Sequence, residues 1–501
     1  MDNINKAILK PEEILSESYE SEYVVIGSGA GGSVAAMELS ESGKEVTVIE
    51  EGLDYSTSDF NSNIAEMTNL TWRNGGVTPF WGKPPIGFAE GKCVGGTTVI
   101  NGGLLWRTPE KILELWEKEY GLIGYSKSDL DPYFEKIEDI LNVGFNRIDD
   151  QNQDSKILIK GCENLGWKYV PVPRSGGAEC INHNLCLTGC LSGAKKSTAL
   201  TYLPRAKESG AKIFTGSKTL LIKQNNQGLV ELLIKTTDSR EHNYKVNCKY
   251  LFIAAGAVQT PFLLQRSNLN KYAGKELEFH FNLKFVAEFD NKLNAQNGTI
   301  FTMQVQEFMD EGLLIMPSNY RKNYLAMALS HFKNNEINDI LNKYSYSGLF
   351  VAQIKAKSKA RVSSTLKTEP FVTYKFDKND LPQVKRAIQK TTKLLFNSGA
   401  KKVFLPIVGS NPIIDYNKSL DKELENLNPE NLEIITVHAM SSCPMGTNKE
   451  SVVDLSGNLR NSKNIFITDA SILPTNIGES PQGSIMGFSH KIVDMHLNNS
   501  K

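Results

Sequence analysis

One short run of glycines, set between two apolar stretches, constrains this chain more than any other feature. Tyr23-Val24-Val25-Ile26 runs into Gly27-Ser28-Gly29-Ala30-Gly31-Gly32, helix-forming residues follow over 33–41, and a second apolar run at 45–49 ends on Glu50. A strand, a glycine turn, a helix and another strand in so short a space make a βαβ unit, which implies a parallel sheet. The spacing is G-x-G-x-x-G, and each glycine has its own physical task. Gly27 permits the tight turn, Gly29 with Ala30 brings bare backbone up to a pyrophosphate, and Gly32 lets the helix sit close on the strand. The helix N-terminus then faces the phosphates. Glu50 is spaced to accept hydrogen bonds from the adenosine ribose hydroxyls, and its charge argues against a 2′-phosphate. A glycine-rich turn alone would explain the glycines but not the strand, the helix and the acid. The chain has one such fingerprint and no Cys-x-x-Cys pair, which argues against a disulfide reductase with two dinucleotides.

The unit occupies a small part of 501 residues, a length with room for two to four domains of about 150 residues each. Lys+Arg and Asp+Glu both number 56, so the chain lacks the charge footprint of a dedicated binder of nucleic acid or anionic membrane. Seven cysteines, odd in number and sparse, do not make a secreted disulfide framework. The N-terminal stretch is acidic (Glu12, Glu13, Glu17, Glu20) with no apolar run, so no signal peptide is expected. The longest apolar stretch, 251–264, is broken by Gly256, Gln259, Thr260 and Pro261 and is too short to span a bilayer. The expected compartment is the cytoplasm.

Helices are expected at 109–120 and 128–141, and strands at 212–214, 219–223, 230–235 and 250–254. The texture changes from about 271 to 429, with strand-like runs at 350–354 and 371–374 and an amphipathic helix at 382–396. The buried-strand pattern returns at 465–468. The expected fold is therefore α/β: a dinucleotide-binding domain over 18–270, with a helical insertion at about 109–200, is interrupted by an α+β unit over 271–430 with a mostly antiparallel sheet. Residues 431–501 complete the first domain.

Three further segments bear on chemistry. Gly91-Lys92-Cys93-Val94-Gly95-Gly96-Thr97 runs on through Thr98 and Ile100 to Asn101-Gly102, Ala255-Gly256-Ala257 leads to Thr260-Pro261, and His438 precedes Ser442-Cys443-Pro444-Met445-Gly446, Asp469-Ala470-Ser471 and Ser480-Pro481-Gln482. With the fingerprint, in this order, they resemble the glucose–methanol–choline (GMC) oxidoreductases, flavoenzymes that oxidise alcohols; a cluster at Cys180, Cys186 and Cys190 further resembles the long-chain alcohol oxidase and cysteine-cluster dehydrogenase branch. The resemblance implies a Rossmann-type FAD-binding domain and a substrate domain built on a sheet. Gly95, Gly96 and Thr97 offer bare amides and a hydroxyl where a flavin diphosphate or ring edge must come close. Asn101 and Gly102 suit backbone beneath a planar cofactor, and Gly256 joins them. Asp469 and Ala470, with Pro481 and Gln482, would close the flavin site from the C-terminal side. A histidine stands at the position of Ile100 in covalently flavinylated relatives, so FAD is expected to be non-covalent.

By the same resemblance, His438 is the base that takes the hydroxyl proton of an alcohol as hydride leaves carbon for flavin N5. Relatives place Asn or His where this chain has Ser480, and serine hydrogen-bonds oxygen without matching histidine as a proton acceptor. The other histidines (His183, His242, His280, His331, His490, His496) lack such context, and His280 is expected to be structural. Cys180, Cys186 and Cys190 crowd into eleven residues. They read as a loop of buried or redox-sensitive thiols, or as part of an iron–sulfur site in a dehydrogenase that passes electrons to a cytochrome or quinone partner. A cubane normally uses four thiolates, and the remaining cysteines are scattered, so no metal ligand set is assigned. A third reading is a flavin-binding protein with impaired turnover, which Ser480 permits. Phe301, Met303, Phe308, Leu313, Leu314, Met316, Tyr320 and Phe350 lean toward a hydrophobic alcohol, or form core.

Overall fold

The computed structural model describes residues 6–147, 151–318, 321–366 and 368–499, so Tyr320 lies outside the described residues. The βαβ unit forms as the glycine pattern requires. Strand β1 (Ser18–Ile26), helix α1 (Ala30–Glu41) and strand β2 (Val46–Ile49) follow one another, and β1 and β2 pair in parallel from Tyr23↔Val46 to Ile26↔Ile49. Strand β3 (Asn243–Ile253) pairs in parallel on the other edge of β1. Lys212–Phe214 and Ile8–Leu9 extend the sheet beyond β2, and Ile465–Ile467 joins the end of β3 from the far end of the chain. Val230–Thr236 and Ser217–Gln224 continue it in antiparallel fashion. Val24, Val25, Ile26, Val46, Val48, Leu251, Phe252 and Ile253 are all buried, as strands covered on both faces must be.

Helix α1 packs between Tyr202–Glu208 and the C-terminal helix Gln482–Asn499. Small residues make this approach possible. A Cβ on Gly31 would stand 1.6 Å from the Thr468 carbonyl oxygen, and one on Gly32 would stand 2.0 Å from that of Gly27. The two ends of the sequence are thereby in direct backbone contact.

The second sheet is built on β4 (Leu277–Phe289) and β5 (Ser347–Ser363), antiparallel from Leu277↔Ala360 to Glu288↔Ser347 with a bulge between Glu278 and His280. Leu313–Pro317, Met303–Val305 and Tyr169–Pro171 follow beyond β5, and Ala400–Phe404 lies on β4. Helix Leu381–Asn397 buries Val384, Ile388 and Leu395 against it, which is the face its periodicity marks. The fold is thus α/β, a mainly parallel sheet with helices beside a mainly antiparallel one.

Two features depart from the sequence reading. The hairpin Thr78–Trp81 and Ile86–Phe88 belongs to the second sheet, paired in parallel with Phe371–Tyr374 and Ile435–Thr436. Strands of three or four residues carry too little periodicity to reveal such distant partners. Strand β5 is also far longer than 350–354, because its second half alternates exposed Lys357, Lys359 and Arg361 with buried Ser358, Ala360 and Val362. Among the described residues no helix is long and apolar enough to cross a membrane.

Candidate active site

The two sheets meet at a cavity of about 390 Å³ lined by the fingerprint turn, Glu50, parts of 87–102, the turn at 254–257, His438 and residues of 469–482. Gly27, at φ +91°, turns the chain where β1 ends, and a Cβ there would stand 2.3 Å from the Ala254 oxygen. A Cβ on Gly29 would meet no protein atom within 4 Å; the space opposite it is the cavity. Helix α1 begins at Gly29 with no side-chain cap, and Gly29, Ala30 and Gly31 line the cavity, so first-turn N–H groups are left to an anionic ligand. Gly96 lies directly above, its Cβ position 3.0 Å from the Gly29 Cα.

Glu50 is buried, and it accepts from the Ser28 amide (2.9 Å), the Ser28 hydroxyl (2.6 Å) and the Gly52 amide (2.7 Å). Burial pushes its carboxyl above the usual range despite these donors. Two carboxylate oxygens offer about four acceptor positions, so capacity remains for a ribose hydroxyl. Ser28 also accepts from the Gly95 amide (3.0 Å). Gly32 and Gly95 do not line the cavity; they hold its walls together. The bare helix start, the open face at Gly29 and the spaced carboxylate fit the adenosine diphosphate portion of a dinucleotide.

Asp469 closes the site from the other end of the chain. It accepts from the Gly256 amide (2.9 Å), the Thr260 hydroxyl (2.5 Å) and the Ser471 amide (2.8 Å), and burial raises its carboxyl. Its work here is to clamp the turn after β3 to the C-terminal segment, and Ala470 lines the cavity beside it. Asn101 donates to the Gln482 side-chain oxygen (2.5 Å) and accepts from the Gly103 amide (3.0 Å). Thr97 accepts from the Gly91 amide (3.1 Å). Gly102 leaves room for the Phe301 ring, which a Cβ would approach to 2.7 Å. Ile100 and Pro481 add apolar walls.

His438 occupies the gap between Ile435–Thr436 and Ala439–Met440, two short strands that both register on β4 through Asn282↔Ile435 and Phe279↔Ala439. This double anchorage sets it against His280. The two Nδ1 atoms are 3.0 Å apart with ring planes at 86°, and His280 Nε2 accepts from the Gly478 amide (3.1 Å). Burial pulls His438 down to about 4. Burial, helped by His438 and Lys355, holds His280 well below its usual value. Both rings are neutral near pH 7. His280 is therefore more than a remote structural histidine. The signal for it lies in β4, where His280, Asn282 and Lys284 alternate with Phe281, Leu283 and Phe285: polar residues at period two in an apolar strand need a partner or a cavity. Asn282 and Lys284 line the cavity, as do Ser480 and its neighbour Glu479.

The three clustered cysteines are free thiols around a small hollow shared with Arg174, Lys195 and Thr299. Cys180 Sγ lies 3.0 Å from the Thr299 hydroxyl, Cys186 Sγ accepts from Arg174 (3.6 Å), and Cys190 Sγ accepts from the Lys195 amide (3.4 Å). Among the described residues no group of three or more His, Cys, Asp or Glu could hold a metal ion. The loop delivers Lys195, whose buried ammonium donates to the carbonyls of Val99 (2.6 Å), Asn101 (2.8 Å) and Cys186 (2.6 Å). Those bonds use all three of its donors and pin the 99–101 backbone that lines the cavity. Nothing in the local sequence announces this role. Of the apolar candidates, Phe301 and Met316 line the cavity, whereas Met303, Leu313, Leu314 and Phe350 are core and Phe308 packs on Trp167.

Comparison with known proteins gives the family. The GMC oxidoreductase family matches in two parts, an N-terminal one over residues 21–282 and a C-terminal one over 356–489. An uncharacterised GMC-type oxidoreductase of Sinorhizobium fredii is 30% identical over 96% of this chain and 95% of its own length. A long-chain-alcohol oxidase of Arabidopsis thaliana is 26% identical over 94% of this chain and 67% of its own. Among solved structures, pyridoxine 4-oxidase from Mesorbium loti superposes with a TM-score of 0.75 at 16% identity, covering 95% of this chain and 99% of that one. A formate oxidase superposes with a TM-score of 0.74 at 12% identity, covering 97% and 99%. At such identities the structural likeness speaks for the fold alone.

Proposed function

The chain belongs to the GMC oxidoreductase family of FAD-dependent enzymes, and from that premise we propose that it oxidises the CH–OH group of an alcohol by hydride transfer to the flavin. The observation that carries the reading is His438, a neutral imidazole on the wall of the same cavity that the fingerprint glycines open. Bound FAD supplies a hydride acceptor at N5. In this reading the amides of 29–31 and 96–97 hold its diphosphate and Glu50 its adenosine ribose. Segments 18–270 and 431–501 carry the cofactor, and 271–430 with the 78–88 hairpin shapes the substrate side. His438 meets the substrate hydroxyl, and Ser480 orients the same oxygen. Phe301, Met316, Met327 and Val351 make that side of the cavity apolar, which supports a hydrophobic alcohol, as does the likeness to long-chain-alcohol oxidases.

Anaerobic mixing of the FAD-loaded protein with a panel of aliphatic and aromatic alcohols tests the reading. Bleaching of the oxidised flavin band by at least one alcohol is the expected result, and a flavin that stays oxidised with all of them would sink it. Ser480→Ala is expected to cost less than tenfold in the rate of that bleaching, roughly the worth of one neutral hydrogen bond. A second outcome concerns attachment. Ile100 offers no nucleophile to the flavin, so acid precipitation should leave all of the FAD in the supernatant; yellow colour retained in the pellet would refute the non-covalent assignment.

A further inference from the structure

The cavity wall holds five carboxyls among the described residues, Glu50, Glu51, Glu90, Asp469 and Glu479. Four are committed elsewhere. Glu50 and Asp469 each answer three protein donors, and Glu51 (2.9 Å) and Glu90 (2.6 Å) are paired with the buried Arg73. Glu479 is different. It is 2% exposed, faces no cation in an ion pair, and accepts from the neutral Gln304 amide at 2.8 Å, with the Ser480 backbone as its other partner. The Gln304 side-chain oxygen beside it is buried and has no partner. A buried carboxyl in a cavity with only neutral partners is a marker of function.

Proton placement at the histidine pair points the same way. The Gly478 amide can only donate, so His280 Nε2 must offer its lone pair, and the proton of neutral His280 sits on Nδ1. That proton is donated to His438 Nδ1, and the proton of neutral His438 is left on Nε2. So arranged, His438 meets a substrate hydroxyl as a donor and has no lone pair at Nε2 to receive its proton.

We propose that Glu479 is the catalytic base for the substrate hydroxyl, while His438 donates a hydrogen bond to the same oxygen and His280 positions it by fixing its tautomer. The proposal rests on the alcohol-oxidation reading above. In the step, the substrate O–H bond breaks and its proton passes to the Glu479 carboxylate. The electron pair left on oxygen becomes the second C–O bond of the carbonyl product. The C–H bond breaks with its electron pair, which leaves as hydride to N5 of FAD, the oxidant. Glu479 is well held for this. Next to it, Gly478 is tied to His280 through its amide and to Gln353 through its carbonyl (3.0 Å), and the Asn476 amide is tied to Glu278 (2.8 Å).

Burial pushes the Glu479 carboxyl up to about 8. The titratable groups on the elements around it are Glu278, His280, Lys284 and Glu288 on β4, Lys355 and the exposed Lys357, Lys359 and Arg361 on β5, and His438. A raised carboxyl is protonated and idle at low pH and becomes a base as pH rises through about 8, so flavin reduction should rise over that interval. A base titrating near working pH is also the efficient kind.

The test combines anaerobic flavin reduction by an alcohol across pH with infrared spectra of the FAD-free protein. Glu479→Gln should slow reduction by about 100-fold and abolish the rise near pH 8, with FAD binding retained. Glu479→Asp should keep a pH-dependent rise. In the infrared, protonated-carboxyl absorption should fade as pH is raised through about 8; burial raises Asp154 to about 8 as well, so Glu479→Gln should remove part of that amplitude and leave the Asp154 part. For the positioning role, His280→Gln can still accept from Gly478 and donate to His438, so it should retain more activity than His280→Phe. A Glu479→Gln protein reduced at the wild-type rate or with the wild-type pH profile would overturn the proposal, as would carboxyl absorption of equal amplitude in the wild type and Glu479→Gln. Equal rates for His280→Phe and wild type would overturn the positioning role. If no alcohol reduces the wild-type flavin, the alcohol reading itself fails and this proposal falls with it.

Discussion

His438→Ala is expected to lower the rate of flavin reduction by an alcohol by roughly 100-fold or more while FAD stays bound. Either assignment of its proton leads there. As a base it would lose the proton acceptor, and as a donor it would leave the substrate oxygen without its charge-stabilising partner. FAD retention follows from the architecture. The side chain lies between two short strands registered on β4, and the groups placed to hold the diphosphate and ribose are on the other sheet. The comparison to make is single-turnover reduction in wild type and variant at equal flavin content. An unchanged rate removes His438 from the chemistry; loss of FAD along with activity would show that it serves the cofactor instead.

Two substitutions two residues apart in the fingerprint should fail in opposite ways. Gly31→Ala sets a methyl group 1.6 Å from the Thr468 carbonyl oxygen, both on rigid backbone. Helix α1 must then move away from the C-terminal strand, at a cost of about 3 kcal/mol or more, and chemical denaturation should show the loss even without FAD. Gly29→Ala meets no protein atom within 4 Å, so stability of the FAD-free protein should be unchanged. Its methyl group projects into the cavity, so FAD affinity should fall about tenfold or more, a difference of about 1.4 kcal/mol. Denaturation and FAD titration on both variants check the pair. Equal destabilisation by the two would contradict the placement of the open face at Gly29.

The βαβ unit and its glycines were legible because each task is local: the turn at Gly27, the bare helix start and Glu50 at a strand end all lie within one short segment. The motif at His438 drew attention to a residue that the fold sets on the cavity wall. The partners that set its chemistry were not. His280 and Gly478 come from two separate segments, and only the bulge in β4 and the registration of 435–440 on that strand set the two histidines against each other. Lys195 is a similar case. In sequence it is a lysine after a cysteine-rich loop, and only the fold turns its ammonium onto the carbonyls of Val99 and Asn101. The cysteines drew attention as candidate ligands, yet the lysine they precede is what touches the cavity wall. Glu479 stayed hidden for another reason. A glutamate beside Ser480 is unremarkable until burial among neutral partners makes it a candidate base.

In the proposed reaction, hydride leaves a CH–OH carbon for the flavin in this cavity. Anaerobic reduction by an active alcohol, compared with the same alcohol deuterated at the carbinol carbon and at saturating concentration, tests it most directly. The flavin band should bleach with both and several times more slowly with deuterium. Bleaching at identical rates, or no bleaching by any alcohol, would contradict it.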